Sequence, residues 1–321
     1  MTDPRLRDGG ITNRQGFSAR KEREMSGIAP TRRGIHERLA QLDAGHAPSY
    51  SAHRTLRLRV EFERQLRRRR TQIAFGLILV LPVIIAIAFQ IGGGADSGAP
   101  ELVGLATVGG INFALFTEFA SVGFLLVVVV ALFCGDTVAS EASWSSLRYL
   151  LAQPVPRSRL LRQKLIVAGI LCIAANVLLP VWAFVVGGLF FGWSPARSPV
   201  GGAIGGDSST LRLVIIVAYI CIQMLVFASL AFLLSVSVDN PLGAVGGAVM
   251  LAVISSILDQ IAALDPYRHY LPTHFNYAWV DTLSSPIRWD DMYRGTGLAL
   301  VYAALFLGYA WLRFDRKDIT S

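Results

Sequence analysis

Six long apolar runs separated by polar stretches set the pattern of this chain. They fall near Ile73 to Ile91, Phe113 to Cys134, Leu165 to Phe190, Leu211 to Val238, Ala244 to Leu264 and Gly295 to Leu312. Each approaches the ~20 residues a helix needs to cross the hydrocarbon core of a bilayer, where the backbone must satisfy its own hydrogen bonds. The pattern predicts an all-α membrane protein with six transmembrane helices. Asp239-Asn240-Pro241 breaks the longest apolar region. Proline after a polar run stops a helix, so the fourth and fifth spans meet there in a tight hairpin.

Residues 1–53 mix Gly, Pro, Ser, Arg and acids without a sustained apolar period. Such a composition cannot bury enough surface to offset its ordering entropy, and a disordered cytoplasmic tail is expected. The stretch shows no apolar core ahead of a small-residue cleavage site, so the first run is itself expected to be an anchor. Met25 is an alternative start to Met1. Between Arg54 and Arg70 the apolar Leu56, Leu58, Val60, Phe62 and Leu66 alternate with arginines and two glutamates, the pattern of an imperfect amphipathic helix. One reading of residues 54–72 lays this juxtamembrane helix in the headgroup layer, with Arg68, Arg69 and Arg70 against lipid phosphates. The other makes it a solvated basic flank. Residues 73–318 form the transmembrane domain.

Composition adds orientation. Charged residues make up 16 % of the chain, below the ~25 % of a soluble domain. Of the 30 Lys and Arg, 17 precede the first span, which membrane orientation explains without nucleic acid. With the N-terminus inside, 25 lie on the cytoplasmic side and five outside: Arg197, Arg212, Arg268, Arg288 and Arg294. The expectation is an N-in/C-in, multi-pass protein of the cytoplasmic membrane. Cys134, Cys172 and Cys221 fall in or beside apolar runs, where a thiol acts as a small hydrophobe, and imply no disulfide framework.

The informative polar stretch lies between the second and third spans, from Gly135 to Lys164. Ala139 to Ala152 is expected to form a helix with Trp144, Leu147, Leu150 and Leu151 on one side and Glu141, Ser145 and Arg148 on the other. Pro154 and Pro156 stop it, since proline lacks the donor a helix interior needs. Arg157 to Lys164 then leads into the third span. A cytoplasmic helix with apolar and charged faces, held between two spans, suits the transmission of force from a soluble partner.

The arrangement of Asp136, Glu141, Leu147, Leu150-Leu151, Pro154, Arg157, Leu160 or Leu161 and Lys164 resembles the cytoplasmic signature of ABC-2-type permeases, the membrane subunits of one class of ATP-binding cassette exporter. Ser145-Ser146-Leu147 stands where that family commonly has Gly-Thr-Leu. The resemblance covers the six-span plan from about residue 54 to 318. It implies that Ala139 to Ala152 is a coupling helix on which a separate ATPase subunit docks. It also implies a second permease chain, identical or paralogous. The phosphate-cradling G-x-x-x-x-G-K-[ST] is absent, and Lys21, Lys164 and Lys317 do not follow glycine. This chain is therefore expected to be non-catalytic and to bind no cofactor, with ATP and Mg in the partner subunit and membrane lipid around the spans.

Other residues carry weaker signals. Glu118 and Asp259 are the acids within the predicted spans, and intramembrane acids are functional candidates because their burial is costly. Both fall near outer helix ends, which favours partial exposure to water. Asn176, Pro180 and Gln223 suit interhelical bonding or a kink, with a substrate path as the sharper alternative. Gly243, Gly246 and Gly247 permit close helix approach or a flexible hairpin. His269 and His274, with Asp265 and Asp281, hint at a metal, but a spacing of five does not place both rings on one helix face. The aromatic residues of Asp265 to Arg294 suit an interfacial, partly re-entrant element. G-x-S-x-G, H-E-x-x-H and paired intramembrane aspartates are absent, which weighs against a membrane-embedded enzyme. An ion-coupled carrier and a non-transporting assembly or sensor subunit are the alternatives to an exporter.

Overall fold

A computed structural model describes residues 58–92, 101–143, 157–195, 197, 206–284 and 286–316. The predicted tail and the stretch carrying Trp144, Leu147, Arg148, Leu150, Leu151 and Pro154 lie outside them. Among the described residues the elements are helical: α1 Leu58–Leu66, α2 Arg69–Ile91, α3 Glu101–Ala106, α4 Gly110–Val122, α5 Leu125–Ser143, α6 Arg157–Phe191, α7 Gly206–Ser237 and α8 Pro241–Asp259. Three 3-10 turns follow, Ala262–Leu264, Tyr267–Tyr270 and Ala278–Leu283, and then α9 Asp290–Asp315. Helices α2, α6, α7, α8 and α9 are long and apolar enough to cross a membrane, and α4 with α5 adds a sixth crossing if that bent pair is one span.

The second predicted span is not one straight helix. Its apolar run breaks at Gly123 and Phe124, and α4 and α5 meet at 60°. A Cβ on Gly123 would lie 2.6 Å from the hydroxyl oxygen of Tyr277, so only glycine admits this contact. The Phe119 ring packs on Tyr277 with centroids 5.0 Å apart, which holds the turn segment against the break. At its far end α5 runs without interruption to Ser143, so Ala139 to Ser143 continues the span instead of opening a separate helix. The amphipathic helix is also shorter than 54–72: α1 stops at Leu66, and Arg69 already belongs to α2. The fifth run leaves α-helix at Asp259, and Ala262–Leu264 is a 3-10 turn.

Packing inverts the distribution of a water-soluble protein. On α2 the buried positions include Ala74, Ile78 and Ala86, while Ile73, Leu77, Val80, Ile84 and Ile87 are exposed. On α8 the chain buries Ala244, Ala248, Ala252 and Ser255 and exposes Leu242, Met250, Leu251, Ile254 and Ile257. Helix α9 repeats this with Gly295, Ala299, Ala303 and Ala310 inside and Leu300, Val301, Leu305 and Leu312 outside. Water would drive the large side chains inward. In lipid, small residues let helices approach while bulky apolar ones face the acyl chains. Helix α7 is the hub, packed against α5, α8, α9 and α6.

The glycines expected to allow close approach at the α7–α8 hairpin differ: a Cβ at Gly247 would lie 3.2 Å from Leu234 Cδ1 on α7. Gly246 faces open space, whereas a Cβ at Gly135 would lie 3.2 Å from the backbone nitrogen of Val245. The hairpin is set locally: Asn240 Oδ1 accepts from the amide of Leu242 at 3.0 Å, and Pro241 occupies the first helical turn. Near the C-terminal end of α7, Ser235 Oγ accepts from the amides of both Val138 and Ala139 at 3.0 Å, joining α7 to the backbone of α5.

Candidate functional site

Four segments bearing basic and acidic side chains converge at one end of the bundle. Asp136 and Glu141 are carried by α5, Lys164 by α6, Glu61 and Arg64 by α1, and Arg68 and Arg70 by the α1–α2 junction. Asp136 Oδ2 accepts from Arg68 Nη1 at 2.8 Å, and its Oδ1 from Arg70 Nη1 at 2.6 Å. Glu141 Oε1 lies 2.6 Å from Lys164 Nζ and 3.3 Å from Arg64 Nη2. Glu61 closes the ring, 3.6 Å from Lys164 and 3.4 Å from Arg64.

Burial decides what this network does. The side chains of Glu141 and Lys164 are only 2 % and 3 % exposed. A pair so enclosed is a structural tie, because removing either partner strands the other charge away from water. Glu141 thus faces the interior, where Lys164 and Arg64 meet it. Its position is nonetheless pointed. Glu141 stands just before segment 144–156 and Lys164 just after it, so the network fastens both ends of that stretch. Arg157 begins α6 directly.

The weaker candidates separate. Glu118 on α4 is wholly buried, contrary to the partial exposure expected, and among the described residues both carboxylate oxygens lack a hydrogen-bond partner. The neighbouring hydroxyls do not serve it: Thr117 donates to the carbonyl of Phe113 and Ser121 to that of Thr117. Asn176 Nδ2 donates to the Cys172 carbonyl at 2.8 Å, leaving its buried Oδ1 without a partner. Gln223 is a structural link: it donates to the Tyr219 hydroxyl at 2.7 Å, which in turn donates to the Phe275 carbonyl at 2.7 Å. The Cys134 and Cys172 sulfurs lie 3.6 Å apart as free thiols.

Asp259 is tied to the turn segment. His274 Nδ1 meets Asp259 Oδ1 at 2.5 Å, His274 Nε2 meets His269 Nδ1 at 2.9 Å, and His269 Nε2 lies 3.4 Å from Asp265. The result is a hydrogen-bonded row of acid, ring, ring and acid. Asp281, grouped with them in the sequence, instead accepts from Arg288 at 2.5 Å. Among the described residues no group of three or more His, Cys, Asp or Glu could hold a metal ion. Two further contacts pin this end: Arg212 donates to the Thr282 carbonyl at 2.6 Å, and Asn112 exchanges two hydrogen bonds with the backbone of Arg197. Burial raises the Tyr277 phenol above its ordinary range, which keeps its hydroxyl protonated beside Gly123. A cavity of about 110 Å³ opens nearby, lined largely by apolar residues including Leu115, Phe116, Phe119 and Leu283.

Sequence reasoning missed the partners more than the sites. Arg64, Arg68 and Arg70 read as a lipid or solvent flank, and Ser235 and Tyr219 carried no signal at all. The available hint was Asp136 and Glu141 at the end of an apolar run, which require nearby cations.

Helices with small residues inside and bulky apolar ones outside, long enough to cross a bilayer, define a multi-pass membrane protein. This chain belongs to the family described as Protein of unknown function (DUF2705), whose model matches residues 81–320. None of the curated proteins matches it.

Proposed function

We propose that this chain is the permease subunit of an ATP-binding cassette exporter, moving an unidentified substrate outward across the cytoplasmic membrane with energy from a separate ATPase chain. The observation that carries the reading is the fastening of both ends of segment 144–156. A push received there passes through Glu141 and Lys164 into α5 and α6. Coupling of this kind requires an element rigidly joined to its spans, and two states that bind the partner differently. The Lys and Arg asymmetry supports a cytoplasmic position for this end and for both termini. A second permease chain completes the assembly, and ATP and Mg belong to the ATPase.

The test uses the full chain reconstituted with a cassette ATPase that carries G-x-x-x-x-G-K-[ST]. Leu150→Asp with Leu151→Asp is expected to abolish stimulation of ATP hydrolysis while membrane insertion is retained. Unchanged stimulation counts against the docking role. Glu141 is the wrong probe, because its substitution breaks an internal tie.

One observation favours a second reading, an ion-coupled carrier. Glu118 offers two unpartnered acceptor oxygens inside the bundle, and acids in that setting mark ion or proton paths. Under this reading Glu118→Gln removes gradient-driven transport in vesicles that contain no ATPase. Transport that persists in the variant excludes it.

A further inference from the structure

The basic end also encloses a cavity of about 680 Å³, bounded by the α1–α2 junction, the end of α5 and the α7–α8 turn. Its walls include four guanidinium groups, from Arg64, Arg68, Arg69 and Arg70, against two carboxylates, from Asp136 and Glu141. Just outside the lining, Lys164 matches Glu141 at 2.6 Å and Glu61 lies 3.4 Å from Arg64, so these two flanking charges cancel and the positive excess of the walls stands. Asp136 draws Arg68 and Arg70 together on its two oxygens, so two of the cations are held in place before any ligand arrives. Arg69 is exposed and has no ion-pair partner among the described residues.

Backbone charge adds to this. Helix α2 begins at Arg69 with no side-chain cap and no acid in its first turn, and α8 begins at Pro241 on the opposite wall. The uncapped N-terminus of α2 therefore adds partial positive charge to this space, whereas at α8 Asn240 already accepts from the Leu242 amide. Arginine is suited to phosphate oxygens, which it can bind in pairs. The volume exceeds that of a bare phosphate and lies in the range of pockets that hold small ligands.

We propose that this cavity binds one phosphate-bearing anion, the headgroup of an anionic membrane lipid. The exposed apolar stripe of α2 decides between a lipid and a soluble phosphate. It begins at Ile73, one turn beyond Arg69, and continues through Leu77, Val80, Ile84 and Ile87. An acyl chain lies along this stripe while its phosphate occupies the arginine cavity. The inference does not depend on the exporter reading, since it needs no ATPase.

The experiment uses the full chain in nanodiscs of phosphatidylcholine with and without phosphatidylglycerol. Native mass spectrometry counts the retained lipid, and a thermal-shift series with inorganic phosphate in pure phosphatidylcholine forms the second arm. Wild type is expected to retain one phosphatidylglycerol in preference to phosphatidylcholine. Arg69→Gln is expected to lower that preference about fivefold, the effect of one cation near a membrane surface. Ser143→Asp, which adds a negative charge to the cavity wall, is expected to lower it similarly and serves as an independent variant. An unchanged Tm in phosphatidylcholine shows that each variant is folded. Stabilisation by inorganic phosphate that Arg69→Gln removes, without lipid preference, overturns the lipid assignment. Equal retention by wild type and both variants, with no phosphate effect, overturns the site.

Discussion

Glu141 and Glu118 are two buried carboxylates on the two halves of the bent span, and they have opposite fates. Glu141 has Lys164 at 2.6 Å with Arg64 behind it. Glu118 has no donor on either oxygen. Burying a charge is tolerable when it is paired and costly when it is not. The first acid is therefore part of the framework. The second stands with both acceptor oxygens unused among the described residues.

The largest effect sharpening this contrast comes from Lys164→Met. Stranding Glu141 is expected to destabilise the chain by about 3–5 kcal/mol, read as a lowered midpoint of unfolding in detergent. Adding Glu141→Leu is expected to recover most of the loss, because an apolar pair can replace a buried ion pair. Failure of the double variant to recover means that Arg64 and Glu61 carry the tie. A smaller loss, about 1–3 kcal/mol, is expected for Gly110→Ala on the Glu118 half. Its Cβ would meet the Phe184 carbonyl oxygen at 2.8 Å and the Gly188 nitrogen at 2.9 Å, both backbone atoms with little room to yield. An unaffected melting curve would show that α4 is loosely held against α6.

Ser235→Ala is expected to cost about 1 kcal/mol, since it removes the acceptor shared by Val138 and Ala139. Faster hydrogen exchange at those two amides is the specific readout. The smallest effect is expected at Glu118→Gln, under about 1 kcal/mol, because no hydrogen bond is lost. A large destabilisation there would reveal a hidden partner and dissolve the comparison with Glu141.

The helices were legible because hydropathy is a local property: each apolar run contains a described helix, and the Asn240-Pro241 stop falls at the α7–α8 turn. The break in the second run was not, for the opposite reason. Phe113 to Cys134 holds no proline to mark a break, and the contact at Gly123 comes from Tyr277, which lies far along the chain. The same distance hid the ion-pair network. Asp136, Glu141 and Lys164 were picked out by spacing within one stretch, while Arg64, Arg68 and Arg70 are brought to them by α2 packing against α6. Exposure was the least readable property. Depth along a span suggested that water reaches Glu118, yet α4 turns that side chain into the bundle.

The bend beside Gly123 has a mechanical meaning. At a helix break the last carbonyls of α4 and the first amides of α5 lose their ladder partners, at a depth where hydrocarbon supplies none. Tyr277 sits against that gap like a doorstop. Moving the Tyr277 segment away would uncover that gap, so the position of these turns and the angle of the bent pair are mechanically linked.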